Sequence, residues 1–192
     1  NIFHLTAITH RTNPIFHGER EGYPSEGGLI YILGMEPVVL QKLRDVEGVL
    51  DVHMPLSGVG FELIISMRVT SKGQVRQTIQ RVLGDADVGG YIKHITVVSD
   101  GIDIRNRDDV AWAVATHVQA DRDVLIIPRC PQTSLDASQT ARNWGTKMGI
   151  DATGPIFDYQ AEGKVFPSLC DDPDVKARVN AQWSKYGITL PG

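Results

Sequence analysis

Apolar positions recur along this chain with a period that changes at intervals, and the changes predict alternating strands and helices. Residues 2–9, with Ile2, Phe3, Leu5, Ala7 and Ile8, predict a strand. Residues 11–28 are rich in Gly, Pro and charge and read as a loop. Over 29–46, Val38, Val39, Leu40, Leu43 and Val46 form a helical stripe, with Pro37 suited to a first turn and an interruption near Gly34. Strands follow at 49–54, stopped by Pro55, and at 61–69, with Leu63, Ile65 and Met67 on one face. Thr70 or Ser71 then caps a helix running to Leu83, closed by Gly84. The β-branched run 92–98 predicts another strand. A helix follows from Asp108 and Asp109 to His117 or Val118, its acidic start suiting the helix dipole. Residues 123–127 predict a buried strand that Pro128 stops.

The predicted class is α/β (α+β). A mixed sheet in β-α-β-β-α-β order over residues 2–98 carries packed helices, then an extra α-β unit. Two- and three-layer packings both fit. Residues 129–168 show little regular structure. Residues 173–186 predict an amphipathic helix, begun by Asp171 or Asp172 and Pro173, striped by Val175, Val179 and Trp183, and closed by Gly187. The expected division is a core over 1–128, then a long loop and terminal helix over 129–192.

Composition narrows the function. A net charge of −4 argues against sequence-independent nucleic-acid binding. No apolar run reaches the ~20 residues of a membrane helix. Cys130 and Cys170, the only two cysteines, lack metal spacing and predict a reducing, cytoplasmic setting. The chain starts at Asn1 without an initiator methionine, which predicts a piece cut from something longer.

Reaction chemistry is sparse. Glu19-Arg20-Glu21 are consecutive, and consecutive side chains rarely converge on one substrate atom. His4, His10, His17, His53, His94 and His117 show no zinc-type helical spacing. Ser57 and Ser66 lack a nucleophile elbow, and turn or capping roles account for Asp100, Asp103, Asp108 and Asp109. The expectation is no catalytic residue and no metal ligand in this chain.

One stretch stands apart: Gly145-Thr146-Lys147-Met148-Gly149-Ile150-Asp151-Ala152-Thr153-Gly154. Glycines let a backbone approach a ligand closely, and a lysine among them is a mobile charge suited to phosphate. The spacing is not that of a Walker loop. On the residues alone, an anion-holding loop and a solvated glycine-rich loop both fit.

Several segments, in order, resemble the C-terminal domain of the UbiD family of decarboxylases. They are 97–105 with 108–113, 121–124 running to Pro128, and above all 145–153, close to the family's Gly-Ser-Lys-Met-Gly-Ile-Asp-Ala-Thr. Leu50 to Pro55 and Trp183 to Gly187 resemble further family segments. The resemblance covers nearly the whole chain. It departs at His117, where many members have Arg, at Gln119-Ala120 in place of Asp-Pro, at Ser99-Asp100-Gly101 in place of a run of acids, and at Thr146 in place of Ser.

The resemblance implies reversible decarboxylation of aromatic or α,β-unsaturated carboxylic acids with prenylated FMN. The cofactor is joined by Mn or Mg and K⁺, held mainly by N-terminal and middle domains outside this chain. Lys147 would match a family lysine near the cofactor phosphate, and Glu26 and Ile30 would match a substrate wall. A flavin prenyltransferase would supply the cofactor, and this domain would mediate homo-oligomerisation and close the active site. Two other roles compete with that one: a non-catalytic assembly domain, and a stand-alone flavin-phosphate module.

Overall fold

The computed structural model describes residues 2–18, 22–23, 26–139, 141–164 and 173–187. Its centre is a five-stranded mixed sheet made of β1 (Val49–His53), β2 (Glu62–Met67), β3 (His94–Ser99), β4 (Val124–Pro131) and β5 (Trp144–Ala152). The spatial order is β1-β2-β3-β5-β4. The inner strands β2, β3 and β5 run parallel, and the edge strands β1 and β4 pair antiparallel to them.

Strand alternation sends side chains to two cores. Leu63, Ile65 and Met67 of β2 and Ile95 and Val97 of β3 pack with helices α1 (Glu26–Leu43) and α2 (Gln74–Gly84). On the opposite face Ile64, Val98 and Ala152 pack with Ile102, Ile104, Val110 and Ala113, the last two from α3 (Arg107–His117). Helices therefore cover both faces, which decides for three layers.

Helix α1 starts earlier than its apolar stripe suggested and runs through Gly34, with Pro37 in its interior. An interior proline costs about 3 kcal/mol. Burial of Ile32, Val39 and Leu43 against the sheet offsets that cost. Glu36 fastens the helix to the end of β1: its Oε1 accepts from His53 Nδ1 at 2.8 Å and from Met54 N at 2.7 Å.

Neither Thr70 nor Ser71 caps α2 through its side chain. Gly73 precedes the helix at φ 82° with no side-chain cap, and the Gln74 side chain ties the preceding turn instead. Its Oε1 accepts from Thr70 N at 2.8 Å, while its Nε2 donates to Glu47 O at 2.6 Å. Before α3, Asn106 accepts from Asp108 N at 3.0 Å, and both predicted acids lie in the first turn.

Three further expectations are corrected. Residues 2–9 form no strand and pair with none among the described residues; Ile2 is 87% and Phe3 88% exposed. Strand β4 does not stop at Pro128 but continues to Pro131 through a bulge, in which Ile127 pairs with Lys147 and Cys130 with Gly145. Being an edge strand, β4 tolerates the missing proline N–H.

Third, the Gly-Lys segment is not a loop. It is β5, an inner strand, and the region after Pro128 also holds α5 (Ile156–Ala161), α6 (Pro173–Ala181) and a terminal 3-10 turn (Trp183–Tyr186). A short helix, α4 (Ala120–Asp123), leads into β4. The predicted terminal helix thus ends at Ala181, with Val175 41% exposed. Glu19-Arg20-Glu21, Cys170 and the Asp171 or Asp172 cap lie outside the described residues.

Candidate functional site

Four features gather at the end of the sheet where the parallel strands begin. The first is Lys147 on β5. Its side chain is fully buried, and its Nζ donates to Gly89 O, to Ile92 O at 2.6 Å and to Gln132 Oε1 at 3.0 Å. An ammonium has three donors, so all are used. Burial pushes its pKa down from the ordinary lysine value. The expected phosphate contact therefore finds no free donor and no path from solvent.

Beside it lies the pair Lys93 and Asp136. Lys93 Nζ stands 3.0 Å from Asp136 Oδ2 and donates to Ser138 Oγ at 2.6 Å. Burial alone would push the Asp136 carboxyl up. The Ser138 hydroxyl and the Lys93 ammonium outweigh it and hold the carboxyl below its usual range.

The third feature couples this end to α1. The rings of Tyr31 and Tyr91 lie 5.4 Å apart, and Tyr31 sits over Gly60. A Cβ at Gly60, whose φ is 83°, would meet that ring at 2.8 Å. Among the described residues the buried Tyr31 hydroxyl has no hydrogen-bond partner. Burial, with Tyr91 beside it, raises its pKa to about 12. Next to Tyr31, the outer face of α1 leaves Leu29 46%, Ile30 74% and Leu33 63% exposed. Glu26 opens the same helix and is exposed.

The fourth feature is a crevice of about 400 Å³ beside the bulge in the β4–β5 pairing. Lys93, Pro128, Arg129, Asp136, Trp144 and Thr146 line it, while Glu26, Ile30 and Lys147 do not. The three residues expected to serve a site therefore share one end of the fold but not one cavity. Ile30 and Glu26 face outward, and Lys147 is sealed inside.

Sequence reasoning missed Arg129 and Trp144. Pro128 reads as a strand terminator, and only the cross-strand register shows that it belongs to a bulge. Among the described residues no group of three His, Cys, Asp or Glu side chains could hold a metal, and no helix is long and apolar enough to cross a membrane.

Comparison with known proteins gives consistent relatives. The family model of the 3-octaprenyl-4-hydroxybenzoate carboxy-lyase C-terminal domain matches residues 30–152. A protein of Archaeoglobus fulgidus is 32% identical over 187 residues, which is 96% of this chain and 38% of that protein. The closed form of Sedimentibacter hydroxybenzoicus vanillic acid decarboxylase superposes with a TM-score of 0.76 at 30% identity, over 94% of this chain and 38% of that one. The UbiD-class enzyme HmfF from Pelotomaculum thermopropionicum, solved in complex with FMN, gives 0.66 at 31% identity, over 77% and 33% of the two chains.

Proposed function

Because the chain belongs to the family of 3-octaprenyl-4-hydroxybenzoate carboxy-lyase C-terminal domains, we propose that it closes the active site of a UbiD-type decarboxylase. It spans 38% of the length of its Archaeoglobus fulgidus relative, so the parent protein is read as larger. The reaction is the reversible, non-oxidative loss of CO₂ from an aromatic or α,β-unsaturated carboxylic acid. Bound prenylated FMN supplies the covalent chemistry.

The flavin's site belongs to the rest of the parent protein, together with any Mn, Mg or K⁺. Lys147, the residue here expected to meet the flavin phosphate, has every donor engaged and no exposure. A stand-alone flavin-phosphate module is disfavoured for the same reason.

The observation that carries the proposal is the uncovered outer face of α1, with Leu29, Ile30 and Leu33 exposed at one end of the sheet. A contiguous apolar face of this kind marks a surface meant to be covered. Its covering is the cofactor domain that precedes this chain. Closure there excludes water from the reacting acid and completes the pocket wall, to which Glu26 and Ile30 contribute. The open edges of β1 and β4 offer a route to homo-oligomers, in a cytoplasmic enzyme.

The test is to produce the parent protein with a flavin prenyltransferase and follow CO₂ release from benzoic and cinnamic acids. Release that depends on the prenyltransferase supports the proposal. Cofactor-loaded protein that releases no CO₂ from either class sinks it and leaves an assembly role.

A further inference from the structure

We propose that residues 2–16 are an apolar arm that is buried, as an added strand, in the rest of the parent protein and not against this fold or a second copy of it. Every residue from 2 to 18 is exposed. Leu5 is 65%, Ile8 72%, Ile15 81% and Phe16 92% exposed, beside Ile2 and Phe3. So much apolar surface on one short stretch marks a contact site rather than a solvated tail. Among the described residues the arm makes no hydrogen bond to the folded body; its side-chain contact is local, between His10 Nδ1 and Arg11 O at 2.8 Å. Its backbone N–H and C=O groups are open to a partner edge.

The residue types say which kind of contact. Ile2, Phe3, Thr6, Ile8 and Thr9 are β-branched or aromatic, the set that suits a pleated strand. Phe3, Leu5 and Ala7 fall on one face of such a strand, with His4 and Thr6 on the other. A strand of this kind adds to a sheet edge through main-chain hydrogen bonds, and its alternate side chains fill pockets in the host. Beyond the bend at Thr12 and Asn13, Ile15 and Phe16 form a second apolar anchor.

This fold supplies no matching edge. Strand β1 has five residues and a register break between Val49 and Asp51. Strand β4 is broken by its bulge between Ile127 and Cys130 and carries Pro128 and Pro131, which lack an N–H. A second copy offers the same two edges, so it is an equally poor host for the run 2–9. The domain match starts at residue 30, whereas the Archaeoglobus fulgidus match covers 96% of the chain and so reaches into the arm. The arm thus travels with the larger protein while lying outside the domain. A host in the same polypeptide also gains from the tether, which sets a high effective concentration.

Because the host is the remainder of the decarboxylase, the proposal rests on that reading, but the two fail separately. Burial of the arm is read without substrate or flavin, and CO₂ release does not report where the arm lies.

Hydrogen–deuterium exchange tests it, in the complete parent protein and in the 192-residue chain. In the parent, the amides of residues 2–9 should exchange about a hundredfold more slowly than in a free peptide of the same sequence. In the 192-residue chain they should exchange at the peptide rate at every protein concentration. Leu5→Asp in the parent should speed exchange of the arm about tenfold and leave β2 and β3 protected. If Leu5→Asp misfolds, Leu5→Ala should give a smaller increase in the same amides. Peptide-rate exchange of the arm in the parent would overturn the proposal, as would a Leu5 variant whose arm stays fully protected. Protection in the 192-residue chain that grows with concentration would also overturn it, because it assigns the arm to a second copy.

Discussion

Lys147 Nζ and Gln132 Oε1 stand 3.0 Å apart in the interior, and this contact joins β5 to the chain leaving β4. The same ammonium also holds the turn before β3 through Gly89 O and Ile92 O. One side chain thus fastens three segments that are distant in sequence. Lys147→Ala leaves three buried acceptors unpaired and should cost about 3 kcal/mol. Lys147→Met keeps most of the volume and should cost less. Urea unfolding measures both, and a loss below about 1 kcal/mol for alanine would contradict a fastening role.

Gly149 faces Ile79 of α2 so closely that an added Cβ would lie 2.4 Å from Ile79 Cγ2. Gly149→Ala should destabilise the fold by about 1–3 kcal/mol through overpacking. Adding Ile79→Ala removes the clash, so the double variant should lose less than the sum of the singles by about 1 kcal/mol. Thermal melts of the four proteins decide it, and strict additivity would place the clash elsewhere.

Two aspartates should shape the acid limb of stability with opposite signs. Burial pushes Asp136 up, but Ser138 and Lys93 hold its folded pKa below the ordinary 3.8. Its contribution is therefore fully present above pH 3.8 and is lost as the pH falls through the folded value. Asp136→Asn should flatten the stability curve below pH 3.8. Asp151 is raised above 3.8 by burial, despite the hydroxyl and amide of Thr153 donating to it. Its contribution is present below 3.8 and is lost as the pH rises through the folded value. Asp151→Asn should gain on the parent over that window. Urea midpoints from pH 3 to 7 would show both trends, and parallel curves for parent and variants would refute them.

Ile30 is 74% exposed, so Ile30→Asp should leave the isolated fold within about 0.5 kcal/mol of the parent. In the complete protein the same change places a charge in the proposed domain contact. There it should lower kcat severalfold without unfolding the chain. Unchanged turnover in the full-length variant would argue against closure through this face.

Much of the fold is legible in the sequence because the inner elements are strongly patterned. The alternation of Leu63, Ile65 and Met67 and the spacing of Val75, Ile79 and Val82 match the observed core. The failure at β5 has a physical cause. Gly145 and Gly149 weaken a strand signal, and Lys147 looks out of place on a buried one. Yet the glycine at 149 is what lets α2 approach, and the lysine meets carbonyls rather than solvent. Residues 2–9 err the other way: an apolar run reads as a strand, but among the described residues it pairs with neither β1 nor β4, the two edge strands. Of the expected site residues, Ile30 and Glu26 are exposed on α1, whereas the placement of Arg129 depends on a cross-strand register that no local pattern encodes.

The strand order also bears on biosynthesis. Because β5 enters between β3 and β4, the growing chain cannot seat β4 when that strand leaves the ribosome. Its hydrogen-bonding edge does not yet exist. Until Ala152 has emerged, β3 presents an open parallel edge to anything nearby, and a chaperone or a neighbouring nascent chain meets a half-built sheet.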